Sequence, residues 1–186
     1  MDRGDAELIA QWQRGDTTAF AALVRRWQQP MARFLARLFG RPEPVADLCQ
    51  EVFLRLYQAG PRYRETGAFS TWLYRIALNV ARDAGRRRRR EPHSLANGEL
   101  LGHEPAPDAV CERRETSRIV SRAVAELPEP QRLALVLRHY EEMSFENIAR
   151  LTGTPASTWK SRFAAALAQL RDRLHAVGRG HEEHHP

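Results

Sequence analysis

Tyr63, Arg64, Phe69, Trp72, Arg75, Asn79, Arg82 and Arg86 gather aromatic, amide and guanidinium groups in one stretch of the chain. Such a mixture suits nucleic acid. Arginine neutralises phosphate, an asparagine amide can hydrogen-bond a base, and a ring can stack on a base that has left its helix. From Trp72 to Arg86 these residues recur three or four apart, the spacing of one helix face. Core packing is the better reading for Phe69, and Trp72 suits either role.

A second set lies near the other end. Ala156, Ser157, Thr158, Lys160, Ser161 and Arg162 follow the break Thr152-Gly153-Thr154, where glycine tolerates the positive φ of a sharp turn. Before the break, Ser144 is placed to cap a short helix carrying Phe145, Ile148, Ala149 and Leu151. After it, Thr154 is expected to cap a new helix with Pro155 at its first position. Trp159, Phe163, Ala166, Leu167, Leu170 and Leu174 form that helix's apolar stripe. The pattern is that of a helix-turn-helix, whose second helix enters the major groove and meets base edges with its first residues.

A third set is Asp47, Gln50, Glu51 and Leu54, at i, i+3, i+4 and i+7, with Arg55 beside them. Its two readings are a solvated face and an acidic docking surface for a basic partner helix. No phosphate-cradling glycine loop, metal-ligand cluster or nucleophile–base pair accompanies these sets. The expectation is therefore no catalytic residue, no cofactor and no metal site. The His181 to Pro186 end is read as a frayed terminus in preference to a metal site. Cys49 and Cys111 form neither a disulfide framework nor a zinc pattern, and Cys49 reads as a small buried hydrophobe.

The elements that must carry these sets all show periods near 3.6, so the fold class is all-α. Leu8, Ile9 and Trp12 mark a first helix ending at Gly15. Asp16 can cap the next, with Phe20, Leu23, Val24 and Trp27 on one face; Pro30 should kink or restart it before Met31, Phe34, Leu35 and Leu38. Val45, Leu48, Cys49, Val52, Phe53 and Leu56 define a third helix closed by Gly60-Pro61. Ser70 can cap a fourth bearing Leu73, Ile76, Ala77, Val80 and Ala84. Ile119, Val120, Ala123, Val124 and Leu127 open a second module. Pro128-Glu129-Pro130 then precedes a helix with Leu133, Val136, Leu137 and Tyr140.

The expected organisation is a helical domain at 1–90, a flexible linker at 91–111, a second helical domain at 112–177 and a disordered tail at 178–186. The linker holds prolines and glycines but few large apolar residues, too few to offset its ordering entropy. Charge follows the same division. Residues 62–90 hold nine arginines against Glu65 and Asp83, whereas residues 91–117 hold six acids against Arg113 and Arg114. The 186 residues carry a net charge of +6, and no apolar run is long enough to span a membrane. A cytoplasmic protein is expected, since acids and arginine interrupt any N-terminal signal region.

The stretches AFAALVRRW at 19–27, DLCQEVFLRLY at 47–57, FSTWLYRIALNVARD at 69–83 and TWKSR at 158–162, in this order, resemble bacterial sigma factors of RNA polymerase. The likeness is to the compact extracytoplasmic-function (ECF) group and runs from about Asp5 to Leu174. It implies two DNA-binding domains, region 2 and region 4, on a linker. It implies that Asp47, Gln50, Glu51, Leu54 and Arg55 grip the clamp helices of the polymerase β′ subunit, and that core polymerase is also met at the β flap. Tyr63, Arg64, Phe69, Trp72, Arg75, Asn79, Arg82 and Arg86 then recognise and melt the downstream (−10) promoter element. Ala156, Ser157, Thr158, Lys160, Ser161 and Arg162 read the upstream (−35) element as duplex. An anti-sigma protein is implied as a further partner, and catalysis belongs to the polymerase. Two departures stand out: Glu43-Pro44-Val45-Ala46 is less acidic than the family's lead into this helix, and Trp159 replaces a small aliphatic residue, where an indole can retilt the recognition helix. The rival reading is a conventional helix-turn-helix regulator that binds its operator without polymerase.

Overall fold

The computed structural model describes residues 4–40, 45–60, 63–64, 68–90 and 110–182; the expected linker, except for its last residues 110–111, lies outside them. Every regular element among the described residues is helical. They divide into two compact units, 4–35 with 45–90 and 36–40 with 110–182.

The first unit contains α1 (Asp5–Gln13), most of α2 (Thr17–Phe39), α3 (Val45–Ala59) and α4 (Phe69–Arg90). Gly15 takes a φ of +99° and ends α1. Asp16 then caps α2, its Oδ1 accepting from the backbone N–H of Thr18 at 2.8 Å and of Ala19 at 3.3 Å. The helix runs unbroken through Pro30 rather than restarting there. Proline forfeits one backbone bond, but Leu23 on one side and Met31, Phe34 and Leu35 on the other are fully buried and hold both halves to one core. Leu48, Val52 and Leu56 of α3 and Leu73, Ala77 and Val80 of α4 complete that core. Cys49 is only half-buried, and desolvation pushes its thiol above the ordinary value. The start of α4 differs from expectation: the Ala68 carbonyl accepts from Thr71 and Trp72, so Ser70 lies inside the first turn. At its other end α4 continues through the five-arginine run Arg86 to Arg90.

The second unit contains α5 (Val110–Ala125), α6 (Glu129–Leu135), a π-helical turn (Val136–Tyr140), α7 (Phe145–Thr152) and α8 (Ala156–Glu182). Ala123, Val124, Leu127, Leu135, Ala166 and Leu170 form its centre, with Val120, Phe163 and Leu174 packed around them. The expected single helix through Leu133 and Tyr140 instead widens at its end, where the Glu141 N–H reaches back five residues to the Val136 carbonyl. Val136 and Leu137 are both fully buried there, and the chain then turns at Glu142, whose φ is +52°. The π turn and Glu142 thus set the entry of α7. At the far end α8 continues to Glu182, so residues 178–182 are helical where a disordered tail was expected; 183–186 lie outside the described residues.

Candidate nucleic-acid interface

The first unit presents rings. Tyr63 stacks on Trp72 with centroids 4.2 Å apart and planes 29° from parallel. Phe69 lies beneath them, 5.9 Å from Trp72 and 6.0 Å from Trp27. It is only 7% exposed, so Phe69 supports this platform and does not face solvent as the other candidates do. Packing won there because Phe69 opens α4 directly over α2. Trp72 is half-buried, whereas Arg64, Arg75, Asn79, Arg82 and Arg86 are exposed. Arg75, Asn79, Arg82 and Arg86 step along one side of α4 away from the stack, giving a flat aromatic patch continued by an amide and guanidinium groups.

Gln13, which sequence reasoning passed over, holds the back of this patch. Its side-chain N–H group donates to the carbonyls of Gly60 at 2.9 Å and Tyr63 at 2.8 Å. The chain can pass that closely because residue 60 is glycine: a Cβ there would stand 1.7 Å from the Trp12 ring. Between α1 and the patch lies a cavity of about 330 Å³ lined by Asp5, Ile9, Gln13, Trp27, Tyr63 and Phe69. Asp5 is occupied, accepting from Arg26 at 2.7 Å and from the Trp27 indole N–H at 3.1 Å.

The second unit presents a helix start. Ser144 caps α7 as expected, its Oγ accepting from the Asn147 N–H at 3.1 Å. Gly153 ends α7 with a φ of +72°. The next cap is shifted by one residue. The Pro155 carbonyl receives the N–H groups of Thr158 and Trp159, so Pro155 precedes α8 and Thr154 belongs to the turn. Ser157, Lys160 and Ser161 are exposed, and Ala156, Thr158 and Arg162 are half-buried. Trp159 is buried to 2% exposure, which places its ring in the domain interior. Its indole N–H donates to Thr152 Oγ1 at 3.0 Å. Leu167, expected in the buried stripe, is 46% exposed because the groove against α5 and α6 is filled by Ala166 and Leu170.

Residues 23–91 match the family model for sigma-70 region 2, and residues 117–170 match that for sigma-70 region 4. The RNA polymerase sigma-H factor of Pseudomonas aeruginosa is 34% identical over 91% of this chain and 93% of its own. The ECF RNA polymerase sigma-E factor of Escherichia coli K12 is 33% identical over 91% and 94%. This chain belongs to the ECF sigma factors. The fold agrees: CnrH, solved in complex with the cytosolic domain of CnrY, superposes with a TM-score of 0.68 at 30% identity, covering 92% of this chain and 97% of CnrH. As a sigma factor the chain is a transcription initiation factor, with region 2 over residues 23–91 and region 4 over residues 117–170.

Region 2 of the sigma factor carries the third candidate set on α3. Asp47, Gln50 and Leu54 are exposed, Leu54 to 51%. Tyr57 extends their face by one turn and is 50% exposed; the i, i+3 spacing from Leu54 was the signal that would have found it. Glu51 and Arg55 are less free. Arg55 donates to Glu51 at 2.6 Å and to Asp83 of α4 at 2.8 Å, which ties the two helices together. Those bonds raise the Arg55 pKa, and the Arg55 guanidinium lowers that of the Asp83 carboxyl. Asp83 also pairs with Arg86, so one DNA candidate and two docking candidates share a single network. Among the described residues no cluster of His, Cys, Asp and Glu could hold a metal ion, and no helix is long and apolar enough to cross a membrane.

Proposed function

We propose that the sigma factor mounts on core RNA polymerase through α3 and reads its promoter with two surfaces of opposite kind. Asp47, Gln50, Glu51, Leu54 and Arg55, with Tyr57, meet the β′ clamp helices, and region 4 meets the β flap. Region 4 reads the −35 element as intact duplex, with Ala156, Ser157, Thr158, Lys160, Ser161 and Arg162 entering the major groove. Region 2 holds unpaired bases of the −10 element on Tyr63 and Trp72, with Arg64, Arg75, Asn79, Arg82 and Arg86 along the displaced strand. Phe69 backs that platform.

The observation that carries this reading is the Tyr63–Trp72 stack beside an exposed Arg and Asn face. A stack of rings offers little to an intact duplex, whose bases already stack on one another. It offers ~1–3 kcal/mol to each base that has left the duplex, against an unstacking cost of a few kcal/mol. Binding energy therefore drives promoter opening, with no chemistry by this chain. Each head alone makes few base contacts; mounted on polymerase, the second contact becomes intramolecular and gains from a high effective concentration. The chain works in the cytoplasm with the polymerase. An anti-sigma protein that covers its polymerase-binding surface regulates it, in keeping with CnrH having been solved bound to a protein partner.

Transcription reconstituted from purified core polymerase and this chain, with start sites sequenced genome-wide, tests the proposal. The expected result is a set of starts sharing two spaced elements and absent with core alone. Starts no more selective than those of core, or tight sequence-specific DNA binding by the chain without core, would overturn it.

A further inference from the structure

Trp159 is almost fully buried, and both its edge and its face are in use. The indole edge is fixed across the turn of the helix-turn-helix: its N–H donates to Thr152 Oγ1 at 3.0 Å, and that hydroxyl donates to the Ile148 carbonyl at 2.7 Å. The indole face carries Arg162, whose guanidinium carbon lies 4.8 Å from the ring centroid. Lys160, the other long cation at the start of α8, sits at 6.0 Å over Phe145, the outer limit of a cation–π contact. Arg162 alone among the expected base-reading residues rests on a ring that is itself buried and hydrogen-bonded.

We infer that Trp159 is a specificity-determining positioning residue, which anchors on Thr152 of α7 and holds the Arg162 guanidinium ready for a base edge of the upstream element. The inference rests on the proposed role of α8 as the helix that reads that element. Arginine has several rotatable bonds, and much of that freedom is lost when it makes a paired contact to guanine. A guanidinium already resting on a rigid indole face loses less on binding, so the right base pair gains relative to the wrong ones. A small aliphatic residue at this position offers neither the face nor the cross-turn bond.

The test is promoter transcription by holoenzyme reconstituted from core polymerase and the full chain, on templates with single base-pair substitutions through the upstream element. Arg162→Ala is expected to lose discrimination at one base pair, by about fivefold or more if its contact is bidentate. Trp159→Leu should lose about two- to fivefold at that same base pair, and Trp159→Phe, which keeps a ring, should lose less. In an Arg162→Ala background, Trp159→Leu should change discrimination there no further. Thr152→Val keeps the volume but removes the acceptor, and should shift the same base pair in the same direction even if Trp159→Leu proves unstable. Equal losses on all templates from Trp159→Leu and Thr152→Val would overturn the positioning role while Arg162→Ala keeps its position-specific effect. An Arg162→Ala variant with no position-specific loss would overturn the reading role of Arg162, and the inference with it.

Discussion

Region 2 offers faces and region 4 offers edges. The Tyr63–Trp72 stack carries no fixed pattern of donors on its ring faces, so in the proposed role it would accept any base with an open face. The start of α8 carries hydroxyls, an ammonium and a guanidinium, groups that in the proposed role would match particular base pairs only in an intact groove. Their supports differ as well. Region 2's patch is held from behind by Gln13 on two backbone carbonyls and by the glycine that lets the chain lie on Trp12. Region 4's helix start is held by a buried indole bonded to a hydroxyl in the preceding helix. Under the proposed function the contrast corresponds to different tasks: the edge reader would set register on closed DNA, and the face binder would stabilise the opened strand.

The comparison is broken most completely by removing what both heads share. If α3 docks on a basic partner helix as proposed, Asp47→Arg with Glu51→Arg places like charge against it, and core affinity should fall about a hundredfold or more. Gel filtration of holoenzyme, with circular dichroism as the check on folding, measures it. Both heads should lose promoter activity together; retained core affinity would remove α3 as the docking face.

Next come the heads one at a time. Trp72→Ala should weaken holoenzyme binding to a single-stranded downstream-element oligonucleotide by ~1–3 kcal/mol, and leave binding to a duplex upstream-element fragment unchanged. Arg162→Ala should do the reverse. Equal losses on both ligands from either variant would erase the division between faces and edges.

Some of this division was legible from residue types. Ser144, Gly153 and Asp16 act where their chemistry placed them, since each cap and turn is settled within a few residues. Ser70 and Thr154 missed by one or two positions because a neighbouring carbonyl took the role. What stayed hidden depends on distant partners. Trp159 looked like a disturbance of the recognition helix, and its burial against Thr152 follows from how α7 and α8 pack. The π turn at Val136–Tyr140 has no residue-type signature in the sequence. Gln13 is polar and exposed on a helix, indistinguishable in sequence from a solvated glutamine, and its acceptors lie 47 and 50 residues away.

Gln13→Leu tests whether that hidden support serves only one head. Each hydrogen bond contributes ~0.5–1.5 kcal/mol net, so single-strand binding should weaken by roughly that amount or twice it. Binding to the duplex upstream fragment should not change. A loss shared by both ligands, tracking a lower melting temperature, would make Gln13 a general stabiliser.

The smallest effect concerns what fastens each head. The bond joining α7 to α8 runs from an indole to a hydroxyl and contains no group that titrates near neutrality. The bond joining α3 to α4 runs from Arg55 to Asp83, and it holds the Asp83 carboxyl below its ordinary value of 3.8. A carboxyl whose folded pKa is depressed contributes stability in full above its unfolded value, and loses it as pH falls below that value through the folded one. Acid should therefore loosen region 2's α3–α4 bridge below about pH 4 while the α7–α8 bond is indifferent. Because Asp83 is about one-third exposed, solvent screens the pair, and the contribution is ~0.2–1 kcal/mol. Urea unfolding of the full chain should find Asp83→Asn less stable than the parent at pH 7 by that margin, with the gap narrowing as pH falls from 4 to 3. A gap that does not narrow at all between pH 7 and pH 3 would mean that Asp83 supports region 2 through packing and not through its charge.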